Sequence, residues 1–161
     1  MLDEGGLISA LRWYVTGFSK RSGIEVELVA TPDIGRLPPE IEMDLFRIVQ
    51  ECLANVHRHS GSRTAQIRVG QQAEQIILQV KDQGRGMPAE KAGVATLGVG
   101  ISGMRERLRY LGGKLLVSSS DRGTTVTAFL PLSARRSSRP PSSDEPEMLD
   151  SGSAAEEQRA L

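Results

Sequence analysis

The stretch Glu51-Cys52-Leu53-Ala54-Asn55-Val56-His57-Arg58-His59 decides how the rest of the chain is read. Placed at about 100° per residue on a wheel that starts from Ile41, the side chains of Ile41, Leu45, Phe46, Ile48, Val49, Cys52, Leu53 and Val56 fill one broad apolar arc. This predicts an amphipathic helix over 40–59, stopped by Ser60-Gly61. Asp44, Glu51, Asn55 and Arg58 form a second stripe at i, i+7, i+11 and i+14. The stripe touches the edge of the apolar arc instead of opposing it, so it is expected to line a cleft.

Outward from that helix, the pattern alternates between the two periods of regular structure. Leu7, Leu11, Tyr14 or Val15, and Phe18 recur at helical spacing, predicting a helix over 6–22 that starts at Gly5-Gly6. Ile24, Val26, Leu28 and Ala30 alternate with more polar residues, as in a half-buried strand. Downstream, 65–69 and 76–80 read as an antiparallel hairpin across the polar Gly70–Glu74 segment, and 101–111 reads as a helix ended by Gly112-Gly113. Strands over 114–118 and 124–130 follow, joined at Asp121-Arg122-Gly123. The element order predicts a two-layer α/β sandwich, with helices on one face of a mixed, largely antiparallel sheet. From Gln83 to Val99 the chain is rich in Gly, Pro and Ala without a period, and loops of that length are usually functional. Residues 133–161 turn to Ser, Arg, Pro and then acidic residues, a composition that predicts a disordered tail behind one domain at 1–132.

Composition excludes several classes of function. Lys and Arg number 20, as do Asp and Glu, so no overall charge steers the chain to nucleic acid or an anionic membrane, and any phosphate binding must be local. No run of about 18 apolar residues is present, so no span is expected within this chain, although one could precede it in a longer protein. The one cysteine, Cys52, lies on the apolar arc and fits a reducing, cytoplasmic compartment.

Three patches could carry chemistry. Glu51 and Asn55, one turn apart, offer two oxygen ligands of the kind Mg²⁺ takes, and Arg58 offers a planar donor fork for phosphate. A solvated helix face with an i, i+4 pair would read the same. Asp82-Gln83-Gly84-Arg85-Gly86 follows a strand, so a carboxylate could accept from an amine while the glycines admit a flat ligand. Taken singly, a plain turn is the simpler reading. Gly98-Val99-Gly100-Ile101-Ser102-Gly103 opens a helix whose free N–H groups favour anions. The same spacing occurs in dinucleotide-binding βαβ units, but Glu90–Leu97 lacks the buried strand they need.

Order and spacing join the three. Glu51-x-x-x-Asn55 with Arg58-His59-Ser60, then Asp82-x-Gly84-x-Gly86, then Gly98-x-Gly100-x-x-Gly103-Met104-Arg105-Glu106-Arg107, then Gly123-Thr124, resemble the N box, the two glycine boxes and the closing threonine of GHKL ATPases. The chain is most similar to the ATP-binding domain of two-component sensor histidine kinases, in the subfamily with a Gly-Met-Arg-Glu-Arg helix that is linked to NarL-type regulators. Leu2–Leu7 resembles the segment that follows the dimerisation helices there. The resemblance implies ATP and Mg²⁺ as ligands. It gives Asn55 and Glu51 to the metal, Arg58 to phosphate, and Asp82, Gly84, Gly86 and Thr124 to adenine. It makes 87–99 a lid, with Gly98, Gly100 and Gly103 beneath the phosphates. The acceptor would be a histidine on a separate dimerisation domain, and a response regulator would receive the group next. No such two-helix domain precedes Leu2, so this chain is expected to be a monomer that binds ATP without phosphorylating itself. His57 and His59 are not expected to be acceptors. An anti-sigma-type serine kinase and a nucleotide-binding module without transfer activity are the alternative readings.

Overall fold

A computed structural model describes residues 2–32, 34–86 and 99–133. Residues 87–98 of the expected lid, with Gly98, and the expected tail beyond Ser133 lie outside the described residues. The elements are α1 (Leu2–Ser22), β1 (Glu25–Ala30), α2 (Pro39–Asn55), a π turn (Val56–Ser60), β2 (Thr64–Gln72), β3 (Gln75–Asp82), α3 (Val99–Tyr110), β4 (Lys114–Ser120) and β5 (Gly123–Pro131). Among the described residues no helix is long and apolar enough to cross a membrane.

The strands form one sheet in the order β1-β2-β3-β5-β4, with β1 parallel to β2 and every other pair antiparallel. Period-two alternation sends one side of each strand to the core, and the register aligns those side chains into rows. One row runs Leu28, Ile67, Val80, Val126, Val117, and the next runs Ala30, Val69, Leu78, Ala128, Leu115. These rows join the apolar sides of α1, α2 and α3 in a single core. The arc read from the sequence of α2 is that side: Ile41, Leu45, Ile48, Val49, Cys52 and Leu53 are all buried.

Local chemistry sets the ends. Pro38 caps α2 and Pro39 opens it, where a missing N–H costs nothing. At the end of α3, Gly112 (φ +72°) takes the left-handed conformation, Gly112 N–H donates to Arg109 C=O at 3.0 Å, and Gly113 N–H donates to Leu108 C=O at 2.7 Å. That paired closure is a Schellman motif and needs the glycine.

Three details differ from the expectations. Helical backbone begins at Leu2, and Gly6 (φ +67°) breaks it, so the Gly5-Gly6 start marks a kink. The hairpin strands run on through Gly70–Gln72 and leave only Ala73 and Glu74 in the turn, because eight residue pairs of the ladder stay in register. The third difference is in the opening stretch itself. The α-helix ends at Asn55 and the chain continues as a π turn, so the even spacing that aligns Arg58 with Glu51 and Asn55 stops there. A wider turn with i→i+5 bonding changes the direction of every side chain after it.

Candidate functional site

The third row of the sheet is different in kind. Val26 pairs with Ala65 and Ala65 with Asp82. One step beyond the Lys81–Thr125 pair, Asp82 stands opposite Thr124, which pairs with Ser119. Where the two neighbouring rows carry Val, Leu or Ala, this one carries a carboxylate and two hydroxyls on the core side of the sheet. Asp82 is 5% exposed, a position that carboxylates rarely hold without a partner. One of its oxygens accepts the Gly84 N–H at 2.8 Å, and the Thr124 and Ser119 hydroxyls are 3.1 Å apart.

The turn after Asp82 is held against the end of the long helix. Gly84 lies so close to Ser60 that a Cβ would come 2.6 Å from Ser60 Cβ and 2.7 Å from its carbonyl carbon. Gly86 (φ +69°) lies against Ser119 and Ser120, where a Cβ would meet the Ser120 carbonyl carbon at 2.8 Å. Ser62 Oγ accepts the Gln83 N–H at 3.3 Å, and Ser60 C=O accepts the Arg85 N–H at 2.9 Å. The glycine spacing in this motif therefore meets a packing demand of the chain itself, whatever it also admits.

Across the cleft, α2 meets the start of α3. A Cβ on Gly100 would lie 2.9 Å from Glu51 Cγ and closer still to its carboxylate, so glycine at 100 lets the two helices approach. A cavity of about 260 Å³ opens here, lined by Asp44, Arg47, Ile48, Glu51, Gly100, Gly103, Met104 and Arg107. Arg107 Nη1 is 3.4 Å from Asp44 Oδ1 and ties α3 to α2 at its rim. The buried Cys52 senses both sides of the site. Burial pushes its thiol up to about 12, and the Glu51 and then the Asp82 carboxylates add to the rise.

The structure thus brings Glu51, Gly100 and Gly103 to one cavity, and Asp82, Gly84, Gly86 and Thr124 to the sheet end beside the π turn. Asn55 is half-buried at the junction of α2 with that turn. Arg58 is exposed and does not line the cavity. His57 packs edge-on against Phe18 at 6.3 Å between ring centres, and the His59 carbonyl accepts from Arg85. Sequence reasoning gave no site role to Arg47, Met104 or Arg107. Arg47 had a signal, standing three residues after Asp44 and four before Glu51 on the same helix.

The model of the histidine kinase-, DNA gyrase B-, and HSP90-like ATPases matches residues 40–134. Sensor histidine kinase MctS of Rhizobium johnstonii is 35% identical over 137 residues, which is 84% of this chain and 30% of that protein. Sensor histidine kinase NarS of Mycobacterium tuberculosis is 34% identical over 136 residues, 82% of this chain and 31% of that one. The chain spans about a third of the length of these relatives. The histidine kinase domain of a blue-light activated histidine kinase from Erythrobacter litoralis superposes with a TM-score of 0.69 at 25% identity, covering 82% of this chain and 64% of that one. The chain belongs to the histidine kinase-, DNA gyrase B-, and HSP90-like ATPase family, and the relatives it matches here are sensor histidine kinases.

Proposed function

We propose that this domain binds Mg-ATP in the cleft between α2, α3 and the Asp82 end of the sheet, and donates the γ-phosphoryl group to a histidine on a dimerisation domain. The observation that carries the proposal is Asp82, a carboxylate buried on the core side of the sheet, in one row with the Thr124 and Ser119 hydroxyls and beside two glycines that bring backbone close. Its Oδ1 already holds the Gly84 N–H, which orients the carboxylate to accept an exocyclic adenine amine with its remaining capacity. Thr124, on the same side of the adjacent strand, completes a polar edge for the base.

The donor set suits a hard cation. Glu51 and Asn55 supply two oxygens one helical turn apart, and among the described residues no group of three or more His, Cys, Asp or Glu converges into a closed metal cage. Glu51 and Asn55 would hold such an ion together with water and phosphate oxygens, and the ion would supply neutralisation of phosphate charge. Arg58, in the π turn, would offer a further cationic donor, and Gly100 and Gly103, in the first turns of α3, would border the phosphates, with Gly98 expected to join them. Catalysis on this design is chiefly positioning and charge neutralisation, with no covalent intermediate on the domain.

In a full-length protein the phosphoryl group would pass from histidine to an aspartate of a response regulator, on the cytoplasmic side of any membrane. On this reading the domain alone is monomeric. The test is to mix it with γ-labelled ATP and a histidine-bearing dimerisation-domain fragment from a related kinase. Acid-labile label on the histidine supports the proposal, and acid-stable label on a serine of a partner refutes it.

A further inference from the structure

Arg85 stands between Gly84 and Gly86 in the turn after β3, and the proposed function gives it no task. Its Nε–H donates to His59 C=O at 2.8 Å, and its backbone N–H donates to Ser60 C=O at 2.9 Å. These are the last two carbonyls of the π turn, which no later helical N–H reaches. Within the turn, Val56 C=O accepts the Ser60 hydroxyl at 2.8 Å. Gly61 (φ +69°) then turns the chain away, so the last two carbonyls depend on groups from outside the turn. A cation at this end also meets the negative pole of the helix.

The geometry points to Arg85 as a positioning residue that closes the helix bearing Glu51 and Asn55 from within the base-binding turn. It holds the π turn in register with that turn, and Asn55 is the residue from which the π turn departs. Two motifs read separately in the sequence are thereby one mechanical unit. A base seated at Asp82 and a cation seated at Asn55 are coupled through the two Arg85 bonds. This rests on the nucleotide reading of the cleft.

Two measurements on the intact domain test it, using Arg85→Ala and Arg85→Lys. In the ligand-free protein, Arg85→Ala should speed amide hydrogen exchange over 57–61 about fivefold, the scale of one net hydrogen bond, with β3 and β5 unchanged. In calorimetric titrations, the gain in ATP affinity on adding Mg²⁺ should shrink about fivefold, while adenosine binding stays within about twofold. Arg85→Lys should recover most of both effects. Unchanged exchange over 57–61 overturns the inference, as does an equal loss with and without Mg²⁺, which marks direct phosphate contact. A wild-type protein that binds no ATP removes the nucleotide reading and the coupling with it, whereas a binding wild type with an unaffected Arg85→Ala removes the coupling alone.

Discussion

Adding one methyl group to each of three motif glycines should give three different results, and the most informative is Gly84→Ala. A Cβ at 84 would lie 2.6 and 2.7 Å from two Ser60 carbons, where carbon contacts normally rest at about 3.5–4.0 Å. Ser60 is buried, with its hydroxyl committed to Val56 C=O and to the Ser62 N–H, so it has no room to turn. The turn must move off by about 1 Å, which stretches the 2.9 Å bond from Arg85 N–H to Ser60 C=O beyond hydrogen-bonding range. Overpacking at about 1–3 kcal/mol plus one bond at about 1 kcal/mol predicts a loss of about 2–4 kcal/mol. Gly103 has nothing within 4 Å of a Cβ and sits inside α3, so Gly103→Ala should stabilise by about 0.5–1 kcal/mol. Gly100 is intermediate. Its obstacle is the movable side chain of Glu51, so the cost should appear more in nucleotide use than in stability. Urea unfolding followed by far-UV circular dichroism is the assay, since Trp13 is 62% exposed and makes a weak fluorescence probe. Gly84→Ala within about 0.5 kcal/mol of wild type would refute the close packing of the two motifs, because even a small overlap there exceeds that cost.

Other predictions follow from single residues. Asn55→Ala should abolish most of the Mg²⁺ dependence of ATP binding and leave adenosine binding intact; calorimetry with and without Mg²⁺ reads this, and an unchanged dependence refutes the metal role. Glu42 is 1% exposed, and its Oε1 accepts the Leu37 N–H at 3.2 Å beside Arg36, so Glu42→Ala should cost about 1–3 kcal/mol through the stranded N–H. For Cys52 the folded state holds the thiol proton to about 12, above the ordinary value of 9.0, so the folded form binds more protons between those limits. Stability should therefore be undiminished below pH 9 and fall above it by up to about 1.4 kcal/mol per pH unit. Unfolding at pH 8 and pH 10.5 checks this, and Cys52→Ala should flatten the difference.

Much of this was legible because period and burial coincide. The arc of α2 and the alternation of β2 and β3 are direct images of the core, and Asp82 has the same parity as Ile76, Leu78 and Val80, which flags its burial. Glu42 carried a comparable signal, three and seven residues before Leu45 and Val49, though an acid in the first turn also suits the helix dipole and reads as solvated. The parallel pairing of β1 with β2 was not legible, since α2 separates the two strands in the chain and no short turn sets their relative direction. Nor was the π turn, because amphipathic spacing registers which side is apolar and not which carbonyl each N–H reaches. Arg85 stayed hidden for the same reason. Its partner carbonyl is 26 residues away, and a turn arginine has no period.

The most direct test of the central claim is the affinity of the domain for ATP with and without the Asp82 carboxylate. Titrating a non-hydrolysable ATP analogue with Mg²⁺ into wild type and Asp82→Asn by calorimetry should show binding that weakens by about 1–3 kcal/mol, roughly 5- to 150-fold, on substitution. Equal affinity in the two proteins, both correctly folded, would contradict the assignment of the buried row-end carboxylate to the base.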